Sequence, residues 1–140
     1  GRVVKRFTAR RLARETIRLR AIKKIETVED LIRISSVVRG KPHLDPATLP
    51  FLALRIAVNS ELENLKEALP KAWSLLGYKG RLLVISFHSL EEDIVRDFFK
   101  RMQDLGSGEI ITRQPVRPGE KELTANPRAR SAKLNIIEKK

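Results

Sequence analysis

The chain has 140 residues, a length that corresponds to one ordinary domain or to part of a larger one. It has no cysteine, which excludes disulfides and thiolate metal sites. It also has no apolar run long enough to span a bilayer and no secretory signal, so we expect a cytoplasmic protein. The net charge of +12 lies mostly at the two ends of the chain and favours a nucleic-acid partner, because phosphate contacts use Lys and Arg. The alternative is a basic surface with no specific partner.

Residues 6–20 are predicted to form a helix with an apolar stripe. Four arginines recur at helical spacing along it: Arg10, Arg11, Arg14 and Arg18. Three of them are four residues apart and share one face, where like charges repel mildly. Most charge runs form a solvated face, but we interpret this one as a phosphate-binding ridge.

A second helix is predicted over 28–39, with Thr27 and Asp30 as the two members of a capping box and Gly40 as its stop. A loop containing two prolines follows, and Asp45 is placed to cap the next helix.

The next predicted helix runs over 51–69. Pro70 is expected to end or kink it, because proline lacks a backbone donor and clashes with the preceding turn. A short helix should follow over 71–76, and we interpret Trp73 within it as a core residue.

Residues 81–86 form a nearly continuous apolar run, typical of a strand buried on both faces of a parallel sheet. Ser89 and Glu92 are interpreted as ends of a capping box, so a helix is expected from there to about Met102. Helix, buried strand and capped helix in this order indicate an α/β fold with a doubly wound sheet.

The remaining segments are predicted as a strand over 109–113, mostly loop over 115–130 and a final strand over 131–138. No cluster of His, Asp and Glu has metal-ligand spacing, and no glycine-rich phosphate loop or dinucleotide fingerprint is present. We therefore expect no metal site.

The segment after the predicted buried strand is the best candidate for a functional site. Ligands of doubly wound sheets bind outside the carboxyl ends of the strands, and helix starts present backbone N–H groups. The catalytic residues stay unknown, but four residues are candidates for the rim of the site: Ser86, Phe87, His88 and Ser89. They are too close in sequence to form a serine triad unaided. His88 is interpreted either as a substrate contact or as a satisfied, half-buried histidine.

Three stretches, in this order, resemble the bacterial small-subunit ribosomal-RNA cytosine N4-methyltransferases, the MraW-type family. They are Ala53–Leu62, Ile85–Glu91 and Asn126–Leu134. Weaker similarity occurs at Arg10–Arg14 and Pro46–Thr48. Together these segments extend over most of the chain.

The resemblance implies methyl transfer from S-adenosylmethionine to a cytidine amine in the decoding region of small-subunit rRNA. It implies a class I, Rossmann-like methyltransferase domain interrupted by a helical insertion. Residues 1–50 would then be the later part of that insertion, which recognises the substrate. Residues 51–140 would be the C-terminal part of the methyltransferase domain, with three strands of which the last is antiparallel.

The implied partner is small-subunit rRNA or the small ribosomal subunit. From charge and resemblance together we assign RNA contacts to Arg10, Arg11, Arg14, Arg18, Arg55, Asn126, Arg128, Arg130 and Lys133.

The chain also departs from the family. Family members are roughly twice as long, and their donor site lies in an N-terminal part that this chain lacks. Because methyl transfer requires the donor and the amine to be aligned, we predict that this chain alone binds no S-adenosylmethionine and is inactive. Glu92-Asp93 also replaces the Asp-Arg that family members usually have, and Leu49 and Leu52 stand where Arg and Gln are common in the family.

The missing N-terminal half is therefore an expected partner, and an exposed sheet edge at 81–86 is expected to favour dimers. Two alternatives stay open: a stand-alone, non-enzymatic RNA-binding module derived from this fold, and a truncated product without a function.

Overall fold

The computed structural model describes residues 6–37 and 45–140. It divides into two compact units, one reaching to Glu61 and the other running from Leu62 to Lys140. The functional division predicted at residue 50 stays a prediction. None of the described helices is long and apolar enough to cross a membrane.

The first unit contains three helices: α1 (Arg6–Arg20), α2 (Val28–Ser35) and α3 (Thr48–Asn59). The predicted helix over 6–20 is confirmed, and none of its residues is fully buried. The capping box of Thr27 and Asp30 is also confirmed at the start of α2. This helix ends earlier than predicted, and its expected stop at Gly40 lies outside the described residues.

The start of α3 differs from the prediction. The helix begins at Thr48 after Ala47, and no side chain caps it. Asp45 does not act as its N-cap, although its carboxylate accepts a hydrogen bond from the N–H of Ala47 at 2.7 Å. Asp45 therefore closes the turn that precedes the helix.

The single helix predicted over 51–69 is in fact two helices, α3 and α4 (Glu61–Leu75). Ser60 separates them with a left-handed backbone, φ 50° and ψ 37°, which interrupts the helical path. Pro70 lies inside α4, and the helix continues past it to Leu75. Of the two predicted outcomes, an end of the helix at Pro70 is therefore wrong, and a kink there stays a prediction.

The second unit combines α4 with a three-stranded sheet and the elements that connect its strands. These elements are β1 (Arg81–Ser86), α5 (Ser89–Asp104), β2 (Gly108–Ile110), α6 (Glu120–Ala125), a 3₁₀ helix (Pro127–Ser131) and β3 (Lys133–Lys139). The strand order is β1-β3-β2, and β3 runs antiparallel to both neighbours. Three strands with an antiparallel last strand are thus confirmed, whereas the segment predicted as mostly loop contains two short helices.

One face of this sheet packs against α4 and α5. The core combines Leu69 and Trp73 of α4, Val95, Phe98 and Phe99 of α5, and Ile137 of β3. The indole of Trp73 meets the Phe98 ring edge-on, with centroids 6.3 Å apart, which confirms its interpretation as a core residue. Burying each large apolar side chain contributes about 1.5–3 kcal/mol, so this cluster supplies much of the unit's stability.

The opposite face of the sheet is open. Leu83 and Ile85 of β1 are 56% and 59% exposed, whereas their neighbours Leu82 and Val84 point to the core. The prediction that β1 is buried on both faces is therefore wrong for this chain, because α4 and α5 cover one face only. Among the described strands, only β3 pairs with β1, so one edge of β1 is also open.

Candidate functional site

The junction between β1 and α5 is closed by a capping box. Nδ1 of His88 accepts a hydrogen bond from the N–H of Glu91 at 3.3 Å. The carboxylate of Glu91 accepts in return from the N–H groups of Phe87 at 2.8 Å and His88 at 3.3 Å. The box thus joins His88 and Glu91, one residue earlier than the predicted pair of Ser89 and Glu92, because Ser89 is already the first helical residue.

This arrangement fixes the orientation of the His88 ring. Since Nδ1 accepts a hydrogen bond, the proton of the neutral imidazole lies on Nε2. Nε2 is buried and has no hydrogen-bond partner among the described residues. Glu91 Oε1 approaches it to 3.4 Å without hydrogen-bond geometry. His88 therefore caps the helix through Nδ1, and its Nε2–H group is a donor that no described residue uses.

The other three rim candidates differ in their surroundings. Ser86 is buried, and its hydroxyl donates a long hydrogen bond of 3.5 Å to the carbonyl of Lys133, which indicates a structural role. Phe87 is 54% exposed, and an exposed ring is a surface on which an RNA base can stack. Ser89 is exposed and makes no side-chain hydrogen bond to a described residue.

An ion pair between Glu92 and Lys133 links the start of α5 to the start of β3. The Glu92 side chain is 9% exposed and that of Lys133 is 23% exposed, so water screens the pair poorly. The pair joins the residue that directly follows the stretch Ile85–Glu91 to the stretch that contains the C-terminal arginines. Lys133, predicted as an RNA contact, is thus already engaged within the fold.

The predicted RNA-binding residues of the first unit fall into two groups. Arg10, Arg11 and Arg14 are exposed on α1 and form no ion pair with a described residue. Arg18 bonds Glu15 at 2.5 Å, and this hydrogen bond holds the pKa of the Glu15 carboxyl below its ordinary value. Arg55 bonds Glu61 at 2.8 Å. The ridge on α1 therefore presents three guanidinium groups that no described residue pairs.

In the second unit, Asn126, Arg128 and Arg130 are exposed in and beside the 3₁₀ helix. Ala129, between the two arginines, is 5% exposed and anchors this turn in the protein. The two guanidinium groups are thus held on a short, anchored turn rather than on a free loop.

A cleft of about 430 Å³ lies beside α5 and was not predicted from the sequence. It is lined by Asp93, Arg96, Asp97, Phe99, Lys100, Gln103, Asp104, Ile110, Thr112, Arg113 and Asn135. The lining comes from α5, β2 with the segment after it, and β3, so no local motif reveals it. One signal was available: Asn135 is a polar residue at an inward position of the final strand, in register with the apolar Ile137.

The chain was compared with known proteins. The sequence model of a family described as the MraW methylase family matches residues 3–140. The chain is 44% identical over 134 residues to the ribosomal RNA small subunit methyltransferase H of Coprothermobacter proteolyticus, covering 94% of this chain and 44% of that protein. The protein of the same name from Sulfurihydrogenibium sp. is 42% identical, with 91% and 45% covered. That from Wolbachia pipientis is also 42% identical, with 94% and 43% covered. The chain thus spans less than half the length of these relatives.

Proposed function

The chain belongs to the MraW methylase family, and on that premise we propose that it is the C-terminal part of a methyltransferase acting on small-subunit rRNA. The reaction transfers a methyl group from S-adenosylmethionine to N4 of a cytidine in the decoding region, in the cytoplasm. This part of the enzyme supplies RNA-facing surface. The family match over residues 3–140 carries the proposal, and the names of the relatives support rRNA as the substrate.

The turn after β1 lacks the features that hold a methyl donor. Nucleotide-like cofactors at a strand-to-helix turn need glycines for close backbone approach and a free carboxylate for the ribose. The turn after β1 contains no glycine, and the carboxylate of Glu91 is used by the N–H groups of Phe87 and His88. The proposal therefore places the donor site outside this chain and assigns it no step here.

The open face and edge of the sheet support a larger enzyme. Leu83 and Ile85 expose apolar surface next to an unpaired strand edge, a combination that folded proteins normally cover. We assign this surface to the part of the enzyme that the relatives carry and this chain does not span, which is N-terminal by the resemblance. A second copy of this chain is the competing occupant.

The chain's own contribution is to hold the substrate. The Phe87 ring offers a stacking surface. Nε2 of His88 is a buried donor beside it, available to an acceptor on the base or the phosphate once the RNA displaces the side chains that cover this nitrogen. Within the second unit, the exposed arginines of the 3₁₀ helix contact phosphates of the RNA, and those of α1 in the first unit supply phosphate contacts of their own. Because methyl transfer depends on the geometry of two reactants, fixing the RNA is a substantial part of catalysis.

The test is to reconstitute the enzyme from two parts. The N-terminal portion of a relative is produced separately and mixed with this chain, and methyl transfer to small-subunit rRNA is measured. We expect each part alone to be inactive and the mixture to be active. Binding of the RNA by this chain, with no methylation in a well-folded mixture, would instead identify a stand-alone RNA-binding module.

His88 allows a sharper variant of the same test. Asparagine is a favourable N-cap, so His88→Asn should preserve the start of α5 while removing the Nε2 donor. We expect a mixture containing His88→Asn to be folded and to lose about tenfold or more in activity, as for loss of one positioned hydrogen bond. Full activity would remove His88 from the site.

A further inference from the structure

The cleft beside α5 is formed within the second unit. Asp93, Arg96, Asp97 and Lys100 follow one another at helical spacing along one side of α5 and form one wall. Ile110, Thr112, Arg113 and Asn135 contribute from β2, the segment after it, and β3. Neither Phe87 nor His88 lines this cleft, so it is separate from the rim of the proposed reaction site.

Asn135 is the feature that needs an explanation. Asn135 is 4% exposed, and its side-chain amide nitrogen has no hydrogen-bond partner among the described residues. A buried amide without a partner destabilises a fold, and a leucine of similar size would avoid that penalty. Since Asn135 lines the cleft, a ligand entering it is placed to satisfy the amide.

Two further groups in the cleft keep unused donors. Gln103 accepts a hydrogen bond from the N–H of Ile110 at 3.1 Å through its carbonyl oxygen, which leaves its NH₂ group available. The hydroxyl of Thr112 accepts from the N–H of Ile136 at 2.8 Å, which leaves its own proton available. Both side chains are thus fixed by the backbone in positions from which they can donate.

The cleft is lined by charged groups of both signs. The acidic groups are Asp93, Asp97 and Asp104, and the basic groups are Arg96, Lys100 and Arg113. None of these six forms an ion pair with any residue in the described part of the chain. A groove for phosphates alone would be basic throughout, whereas an unpaired nucleotide combines a phosphate with amino groups and carbonyls on its base edge.

We propose that this cleft binds one unpaired nucleotide of the RNA substrate, outside the reacting cytidine. Asn135 and Gln103 bond the base edge, the carboxylates accept from its amino groups, and Arg96 and Lys100 contact the phosphate. The inference rests on the proposed function only in taking RNA as the ligand. Its chemistry is that of base recognition at a second position of the substrate.

The test measures the affinity of this chain for a decoding-region RNA hairpin by fluorescence anisotropy. Asn135→Leu should raise the Kd about tenfold, as for one lost base contact, while the melting temperature stays the same or rises. Arg96→Ala and Lys100→Ala should each weaken binding and reduce its salt dependence. Arg101→Ala is the matched control, because Arg101 is an exposed arginine of the same helix that does not line the cleft.

Scanning the RNA with single abasic substitutions should identify the bound nucleotide. At one unpaired position, loss of the base should weaken binding for the unmodified chain and have little further effect for Asn135→Leu.

An Asn135→Leu chain that is more stable and binds as tightly as the unmodified one would overturn the inference and leave the proposed function standing. If Asn135→Leu does not fold, equal affinities for Lys100→Ala and Arg101→Ala would overturn it. No binding by the unmodified chain would overturn both proposals.

Discussion

Glu92 and Lys133 are the residues through which the rim of the proposed site and the C-terminal strand depend on each other. Their ion pair is nearly shielded from water, so its net contribution is set by the balance between desolvation and attraction. Such a pair is expected to stabilise the fold little more than two apolar residues at the same positions would. Removing one partner is different, because the other charge is then buried without compensation.

We predict that Lys133→Met lowers the free energy of unfolding by about 3 kcal/mol, since breaking a buried pair costs roughly 3–5 kcal/mol. The double variant Glu92→Leu/Lys133→Met should recover most of the loss. Urea denaturation of the single and double variants measures both effects. Lys71→Met, in the exposed pair with Glu67, is the control and should change stability little. A single variant as stable as the unmodified chain would contradict the prediction.

This pair also affects how RNA-binding data are interpreted. We predicted Lys133 as an RNA contact from its charge and from the family resemblance, but its ammonium group already bonds Glu92. A weaker affinity in a Lys133 variant would therefore arise first from a displaced junction between β1 and α5. The exposed Arg128 and Arg130 are the cleaner probes of phosphate contact in this unit.

At the scale of single elements, α2 depends on the capping box at its start. The N–H of Glu26, the ammonium group of Lys23 and the N–H of Thr27 all bond the Asp30 carboxylate. These bonds, that of Glu26 first, hold the pKa of Asp30 well below its ordinary value. The ionised carboxylate therefore stabilises the folded start of this helix.

We predict that this stabilisation depends on pH in one direction. Because the pKa is lowered in the folded state, the contribution is fully present above the ordinary carboxyl range, near pH 4. It is lost as the pH falls through the lowered folded value. Denaturation at several pH values should show the unmodified chain more stable than Asp30→Asn at pH 7, with the difference shrinking below about pH 4. Glu29→Gln, in the same first turn, is the control, and a difference that stays constant with pH would contradict the assignment.

Elements with local signals could be predicted from the sequence. The helix over 6–20 and the capping box of Thr27 and Asp30 are confirmed because their determinants lie within a few residues. The antiparallel last strand is also confirmed, but it was expected from the family resemblance and not from a local signal. The break at Ser60 was not predictable in this way, since serine seldom adopts the left-handed conformation that tertiary structure imposes here.

The candidate site was predictable only in part. Its position after β1 follows from the order of elements, and the four rim residues lie there. The capping role of His88 was missed because histidine is an uncommon N-cap, and Ser89 is the more favourable residue type. The cleft beside α5 was missed because its walls are distant in sequence and its unpaired amide becomes apparent only once burial is known.

At the scale of the whole molecule, the open sheet surface of β1 should determine how the chain behaves alone. Unpaired edges and exposed apolar faces promote association, so we predict that the isolated chain self-associates in sedimentation experiments. Ile85→Lys should shift it towards monomer, because a charge on the open face opposes pairing there. Leu105→Lys, which adds the same charge at an exposed leucine outside the sheet, should have a smaller effect. Adding the N-terminal portion of a relative should suppress association of the unmodified chain. Equal effects of the two lysine variants would contradict the prediction, because net charge alone would then explain the shift towards monomer.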